Sequence, residues 1–125
     1  MGREIKFRAK RLDRHEWVYG NLVRIDDDYR IIEQEAHNNM VVDCHIVPET
    51  AGQFTGVHDK NGVEIYEGDL CSLFGKGQYR VAYTDTHTCY MIESIGSTTN
   101  WCGITVGEIH KEIEVIGNIH EGIKQ

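Results

Sequence analysis

The chain has 125 residues and a net charge of −7, from thirteen Lys and Arg against twenty Asp and Glu, and 40% of it is apolar. These values fit one ordinary globular domain and exclude a disordered chain. The longest purely apolar run is the four residues Cys89–Ile92, far short of the ~20 that a membrane helix needs. No apolar segment follows Met1, so a secretory signal is not expected and the cytoplasm is the expected compartment. A chain of this size buries roughly two thirds of its unfolded surface, enough for a core without disulfides.

Charge is unevenly placed. Residues 1–14 carry six bases and two acids, a local +4, and the remainder carries −11. The first reading of this asymmetry is a basic strand lying against an acidic neighbour, within the chain or in another subunit. The second is an arm for nucleic acid, which a body of net −7 opposes by repelling phosphate. The four cysteines, Cys44, Cys71, Cys89 and Cys102, form no C-x-x-C pair. In a reducing compartment Cys44, Cys71 and Cys89, each within an apolar stretch, read as small buried hydrophobes.

Taken in chain order, the dominant period is two. Over Arg3–Lys10, Ile5, Phe7 and Ala9 fall on one face and Lys6, Arg8 and Lys10 on the other. Trp17–Ile25 reads as a strand rich in aromatic and β-branched residues, with Gly20 as a bulge or a close backbone approach. Asp26-Asp27-Asp28 predicts a turn and Tyr29–Gln34 the return strand. Residues 36–39 read as polar loop. Over Met40–Val47, Met40, Val42, Cys44 and Ile46 share a face. Pro48 to Gly52 predicts one short helical turn, with proline at its start and glycine past its end. Gly56 to Gly62 reads as a connector holding the turn Asp59-Lys60-Asn61-Gly62. Asp69–Phe74 and Gln78–Thr84 predict a hairpin around Gly75-Lys76-Gly77, with Tyr79, Val81 and Tyr83 on one face. Thr84–Thr88 is turn-like, Cys89–Ile95 a strand, 96–100 a polar loop and Ile104–Val106 short and extended. A strand is favoured over Glu112–Ile119, while Gly107–Lys111 stays open between helix and strand. Short strands joined by glycine turns predict a mainly β fold: a small barrel or sandwich of antiparallel strands with at most one short helix or helical turn. The whole chain, 1–125, is taken as one domain, within which 1–50 and 51–125 are candidate subdomains.

Three stretches carry a resemblance. They are Arg3-Glu4-Ile5-Lys6-Phe7-Arg8-Ala9, the block from Val47-Pro48-Glu49 through Asp59-Lys60-Asn61-Gly62 to Tyr66-Glu67-Gly68-Asp69, and Glu114-Val115-Ile116-Gly117-Asn118-Ile119. In this order they resemble the YopX-like family of small phage and prophage proteins. The resemblance implies a bacterial, phage-associated, cytosolic protein with a mostly β fold whose C-terminal part is SH3-like. It brings no activity and no active site. Where the family often continues with an aromatic-acidic pair after the first stretch, this chain has Lys10-Arg11.

The residues of the central block read as structural. Gly68 supplies backbone freedom at a strand entry, Asp69 holds a turn, and Phe54 and Tyr66 anchor the core. Pro48, Glu49, Gly52, Gly56, Asn61, Gly62 and Gly117 complete this structural motif.

The chemistry-bearing candidates are few. Asp43-Cys44-His45 and His87-x-Cys89 offer metal ligands, but structural zinc uses two tight pairs. Cys44 and His45 would point to opposite faces of a strand. Cys89 with His87 is the one local nucleophile–base pairing, and no oxyanion or phosphate-binding motif accompanies it. No cofactor, metal or catalytic residue is therefore expected. Lys6, Arg8 and Lys10, with Trp17 and Tyr19 nearby, form a candidate surface for single-stranded nucleic acid. The favoured expectation is a non-enzymatic accessory protein that forms homo-oligomers or binds a phage or host protein through sheet edges, with no membrane partner. The nucleic-acid surface is the alternative, and an enzyme or metal-binding protein the second alternative.

Overall fold

The computed structural model describes residues 4–34, 40–95 and 101–123. The strands in chain order are β1 (Phe7–Lys10), β2 (Trp17–Ile25), β3 (Asp28–Gln34), β4 (Val41–His45), β5 (Gly52–His58), β6 (Glu64–Tyr66), β7 (Asp69–Leu73), β8 (Lys76–Thr84), β9 (Cys89–Ser94) and β10 (Trp101–Thr105). A short helix, α1 (Val106–Ile109), precedes β11 (Ile113–Asn118) and β12 (Gly122–Ile123), and 3-10 turns occupy Pro48–Thr50 and His110–Glu112. The fold is mainly β, in two antiparallel six-stranded sheets ordered β4-β3-β2-β1-β5-β6 and β10-β9-β8-β7-β11-β12. The chain divides into two compact units, 1–54 and 55–125.

In the first unit, β1 to β4 form a meander. Ile25 pairs with Asp28 across a two-residue turn in which Asp26 takes a φ of 54°, a conformation that Asp tolerates. Ala9, Ile31 and Ile46 are buried together, with Phe7, Val18, Leu22, Tyr29 and Ala51 packed on them. The alternation expected of the first strand is present from Phe7 onward, but Ile5 precedes the strand and is exposed. Met40 likewise lies before β4 and is exposed, while Cys44 and Ile46 face the core. Gly20 is a close approach: a Cβ there would stand 2.6 Å from the Ile32 carbonyl oxygen. The chain past β4 returns to β1, where Arg11 and Ile46 form an isolated bridge. The predicted helical turn is the 3-10 turn at Pro48–Thr50, and the Thr50 hydroxyl ties it to β1 by accepting from the Lys10 N–H at 2.9 Å.

In the second unit, β7 to β10 form a meander and β11 returns to pair with β7. The unit's core is Ile65, Cys71, Val81, Ile92, Val106 and Ile113. Closure into a barrel does not occur. The orders of both sheets are open, and β6 and β12, three and two residues long, are too short to supply a closing ladder.

Three further expectations are corrected. The stretch read as a connector from Gly56 is strand as far as His58. The β7–β8 turn is Phe74–Gly75, one residue earlier than expected, with Leu73 paired to Lys76 and φ of 52° and 75° at the two central residues. Val106 starts a helix rather than ending a strand, because Thr105 and Glu108 form a reciprocal capping box: the Thr105 hydroxyl accepts from the Glu108 N–H, and the Glu108 carboxylate accepts from the Thr105 N–H.

Two buried carboxylates hold the second unit's turns. Asp59 Oδ1 accepts from Asn61 N (2.8 Å) and Val63 N (2.9 Å), and its Oδ2 accepts from Val115 N on β11 (2.9 Å). Asp69 Oδ2 accepts from Tyr66 N at 2.7 Å. The β11–β12 turn is closed by Asn118, whose Oδ1 accepts from His120 N and Glu121 N. Gly117 lies against that return strand: a Cβ would meet the Gly122 oxygen at 2.0 Å and the Ile123 Cα at 2.8 Å. Gly117→Ala is therefore expected to destabilise by about 1–3 kcal/mol, as forced overpacking does. Gly107→Ala has open space at its Cβ and ordinary helical φ, and is expected to be neutral or stabilising by up to about 1 kcal/mol. Chemical denaturation of the two variants checks this, and equal effects would contradict it.

Candidate functional site

The candidate residues of the first unit meet on one sheet face. Antiparallel pairing sets Arg8 opposite Tyr19 and Lys10 opposite Trp17, and successive even residues of β1 share a face. Arg8 is also opposite Gly52 of β5, and the Phe54 N–H donates to the Lys6 carbonyl at 2.8 Å. Lys6, Arg8, Lys10, Trp17, Tyr19 and Phe54 therefore line the side of the sheet away from the Ala9–Ile31–Ile46 core.

The geometry on this face is cation over ring. The Arg8 guanidinium lies 4.6 Å from the Trp17 ring centre and the Lys10 ammonium 5.5 Å from the same ring. The Lys6 ammonium lies 5.6 Å from the Phe54 ring and 3.8 Å from Glu4. Arg8 is only 8% exposed, which its place on a polar face does not predict; the Trp17 and Gly52 neighbours explain it. Tyr19 stays exposed. The contacts of these bases are thus aromatic rings and, for Lys6, the near-sequence Glu4, and Trp17 is already engaged by two cations of its own chain.

The same face continues across β3 and β4 as a charge network that sequence reading did not single out. Arg30 pairs with Val23 on one side and His45 on the other, and Ile32 with Asp43, so these residues share the face. Arg30 donates to Asp28 at 2.9 Å and to Asp43 at 3.1 Å, and His45 Nδ1 is 2.9 Å from Asp28. The signal for it was Asp28-x-Arg30 and Asp43-x-His45, each two apart on a strand. The Arg30 hydrogen bond, with that of His45 adding to it, holds the Asp28 carboxyl below the usual carboxylate range. Nearby, a cavity of about 280 Å³ is lined by Arg11, Leu12, Asp13, Asp43, Cys44 and His45. The Arg11 guanidinium hydrogen-bonds both Asp13 oxygens at 3.0 Å and lowers the Asp13 pKa.

Among the described residues no three His, Cys, Asp or Glu side chains gather as metal ligands. Cys44 is buried while His45 points out to Asp28, so the two do separate across β4. Cys71 is buried, Cys89 is only half-buried, and all three are free thiols. Cys102 lies in β10 with its side chain outside the described residues. In the central block, Phe54 and Tyr66 are buried, and Tyr66 donates its hydroxyl to Glu64 at 2.9 Å. Pro48 opens the 3-10 turn and Glu49 is exposed on it. Asn61 binds Asp59 through its backbone; Gly62 and Gly68 take positive φ at a bend and a turn, and Gly56 takes positive φ within β5. Gly68 also bridges neighbouring strands, donating to the Val81 carbonyl and accepting from Ile119 N.

With this arrangement in view, comparison with known proteins is informative. Residues 6–123 match the family described as YopX protein. The chain belongs to the YopX family. Among solved structures it is similar to protein EF1440 from Enterococcus faecalis, with a TM-score of 0.58 and 22% identity over 94% of each chain. At that identity the likeness shows the fold alone. No curated protein matches the chain.

Two outcomes follow for this YopX protein. A double-mutant cycle of Arg8→Met and Trp17→Leu should give a coupling of about 1 kcal/mol in denaturation experiments, the size of a partly desolvated cation–π pair; zero coupling would refute the stacking. In an NMR titration Arg30→Gln should move the Asp28 pKa up toward its ordinary value near about 3.9. The native value is the depressed one, so this pair's contribution is complete above the unfolded pKa and is lost as pH falls through the folded pKa.

Proposed function

We propose that this YopX protein is a non-enzymatic, phage-associated accessory protein of the bacterial cytoplasm that works by assembling, with copies of itself or with a phage or host protein. The observation that carries this reading is the set of large apolar side chains that the β framework leaves in water at strand ends and turns. Phe74 is 64% exposed, Ile25 63% and Val41 62%. Open sheet edges are places where further chains pair, and large apolar side chains at strand ends and turns beside them fit such association. The phage association and compartment rest on the family, and no helix among the described residues is long and apolar enough to cross a membrane.

The nucleic-acid reading keeps one observation in its favour, the shared face of Lys6, Arg8, Lys10, Trp17 and Tyr19. Against it, the Trp17 ring already carries Arg8 and Lys10, so a stacking base would first displace a bound cation. Sedimentation velocity from about 1 to 100 µM should show concentration-dependent assembly, the range in which modest interfaces act. A single monomeric species throughout, with a salt-sensitive gain of fluorescence anisotropy on a single-stranded oligonucleotide that Lys6→Ala and Lys10→Ala abolish, would replace assembly with nucleic-acid binding.

A further inference from the structure

We infer that copies of the chain join head to tail, the β7–β8 turn of one copy inserting Phe74 into the groove beside α1 of the next. The inference takes the self-association proposed above as its premise and names the contact.

The first observation is the turn itself. Phe74 and Gly75 occupy the two central positions with φ of 52° and 75°. Asn-Gly and Asp-Gly suit this geometry, whereas a bulky residue at positive φ is an outlier. The chain thus places an aromatic where backbone preference disfavours it and where water covers most of the ring. Covering the ring in a partner offsets the exposure, and a tight turn holds it rigidly, as an anchoring side chain requires.

The second observation is a groove of about 250 Å³ lined by Val57, Cys89, Tyr90, Val106, Thr105 and Gly107, among others. It is mostly apolar in side-chain character and has room for a phenyl ring. It lies at the far end of β8. The turn precedes Lys76, the first residue of that strand, whereas Thr84, the last, pairs with Cys89 on the groove wall. Phe74 is 64% exposed, so its ring does not occupy the groove of its own chain and is available to another copy.

Charge complementarity selects a second copy as that molecule. Lys76 is exposed next to the turn, with Lys111 and Glu112 in the segment that backs it through the Phe74 N–H to Glu112 carbonyl bond. Beside the groove in sequence stand exposed Asp85, next to Thr84 on the β8–β9 turn, and exposed Glu108, next to Gly107; the Thr105 hydroxyl and N–H hold the Glu108 carboxyl below its ordinary range. A tip on which Lys76 and Lys111 outnumber Glu112 thus meets an apolar slot flanked in sequence by Asp85 and Glu108. Because the two surfaces differ, the contact is heterologous and extends to a ring or a filament.

The test uses two variants that the structure accommodates. Phe74→Asn removes the ring and suits the turn. Gly107→Leu adds a bulky side chain at the groove's lining, at a position whose Cβ meets nothing within 4 Å and so does not disturb the fold. Thermal melts confirm that both fold. In sedimentation equilibrium each variant alone should associate at least about tenfold more weakly than the wild type, a change of about 1.4 kcal/mol. Their equimolar mixture should regain a dimer and nothing larger, since one copy offers an intact tip and the other an intact groove. Variants that assemble like the wild type, or a mixture that stays monomeric, would overturn this contact while leaving self-association in place. A wild type that is monomeric throughout would overturn both.

Discussion

The Asp59 carboxylate is the constraint on which the second unit depends. It is 6% exposed, yet its two oxygens receive three backbone N–H groups, two from the turn that follows and one from Val115 on β11. A buried carboxylate without donors would be costly; with three it fixes geometry in two directions at once. The turn between β5 and β6 closes on Oδ1, and Oδ2 pins that turn to a strand more than fifty residues away. Lys60 N, adjacent, donates to the Ile113 carbonyl and extends the same attachment. Since β11 also pairs with β7, the placement of Asp59 sets where the return strand enters the sheet, and with it the position of Ile113 in the core.

Asp69 repeats this logic on a smaller span, and the neutral amide of Asn118 accepts turn N–H groups in the same way; with Asp59 and Asp69 buried, part of the chain's acidity is not surface charge at all. Asp69 is 1% exposed and its acceptor role is local, to Tyr66 N. The basic residues show the mirror arrangement. Arg8, Lys10 and Lys6 lie over Trp17 and Phe54, where the alkyl stems cover the sheet and the cations meet ring faces. The uneven charge of the sequence is thus resolved by two kinds of partner: backbone N–H groups for buried acids and aromatic rings for the first strand's bases.

Much of the fold was legible because strand period and turn chemistry are local. Trp17–Ile25, the Asp26 turn and the short turn at Pro48 could be read directly, since each depends on residues within a few positions. What was missed depends on distance. β6 and β12 are three and two residues long, below the length at which alternation carries a signal, and exist only because β5 and β11 offer them an edge. The connector reading of Gly56–His58 failed for the same reason. The start of α1 was legible in principle, as Thr105-x-x-Glu108 is a capping-box pattern, but it directly follows an extended run that reads as strand. For the candidate site, alternation placed Lys6, Arg8 and Lys10 on one face; the register that brings Trp17 under two of them is set by the β1–β2 pairing and is invisible locally. The Asp28–Arg30–Asp43–His45 network needed the β3–β4 register as well.

The turns sort the chain's conformational strain by residue type. Four described non-glycine residues take positive φ: His15, Asp26, Phe74 and Thr88. His and Asp visit this region more readily than most residues, and both sit in exposed turns of the first unit. Phe and β-branched Thr do not, and they stand in the two turns that bound β8, one before Lys76 and one just before Cys89. The Thr88 hydroxyl donates to the His87 carbonyl at 2.7 Å, a local bond that helps hold its turn. Phe74 is steadied by its N–H to Glu112, which fixes the backbone but leaves the ring in water. A turn optimised only for folding would place Asn or Gly at that position. The strain is therefore held by backbone bonds while the ring stays exposed, and the contact proposed at the β7–β8 turn uses this separation of structural anchor from exposed ring.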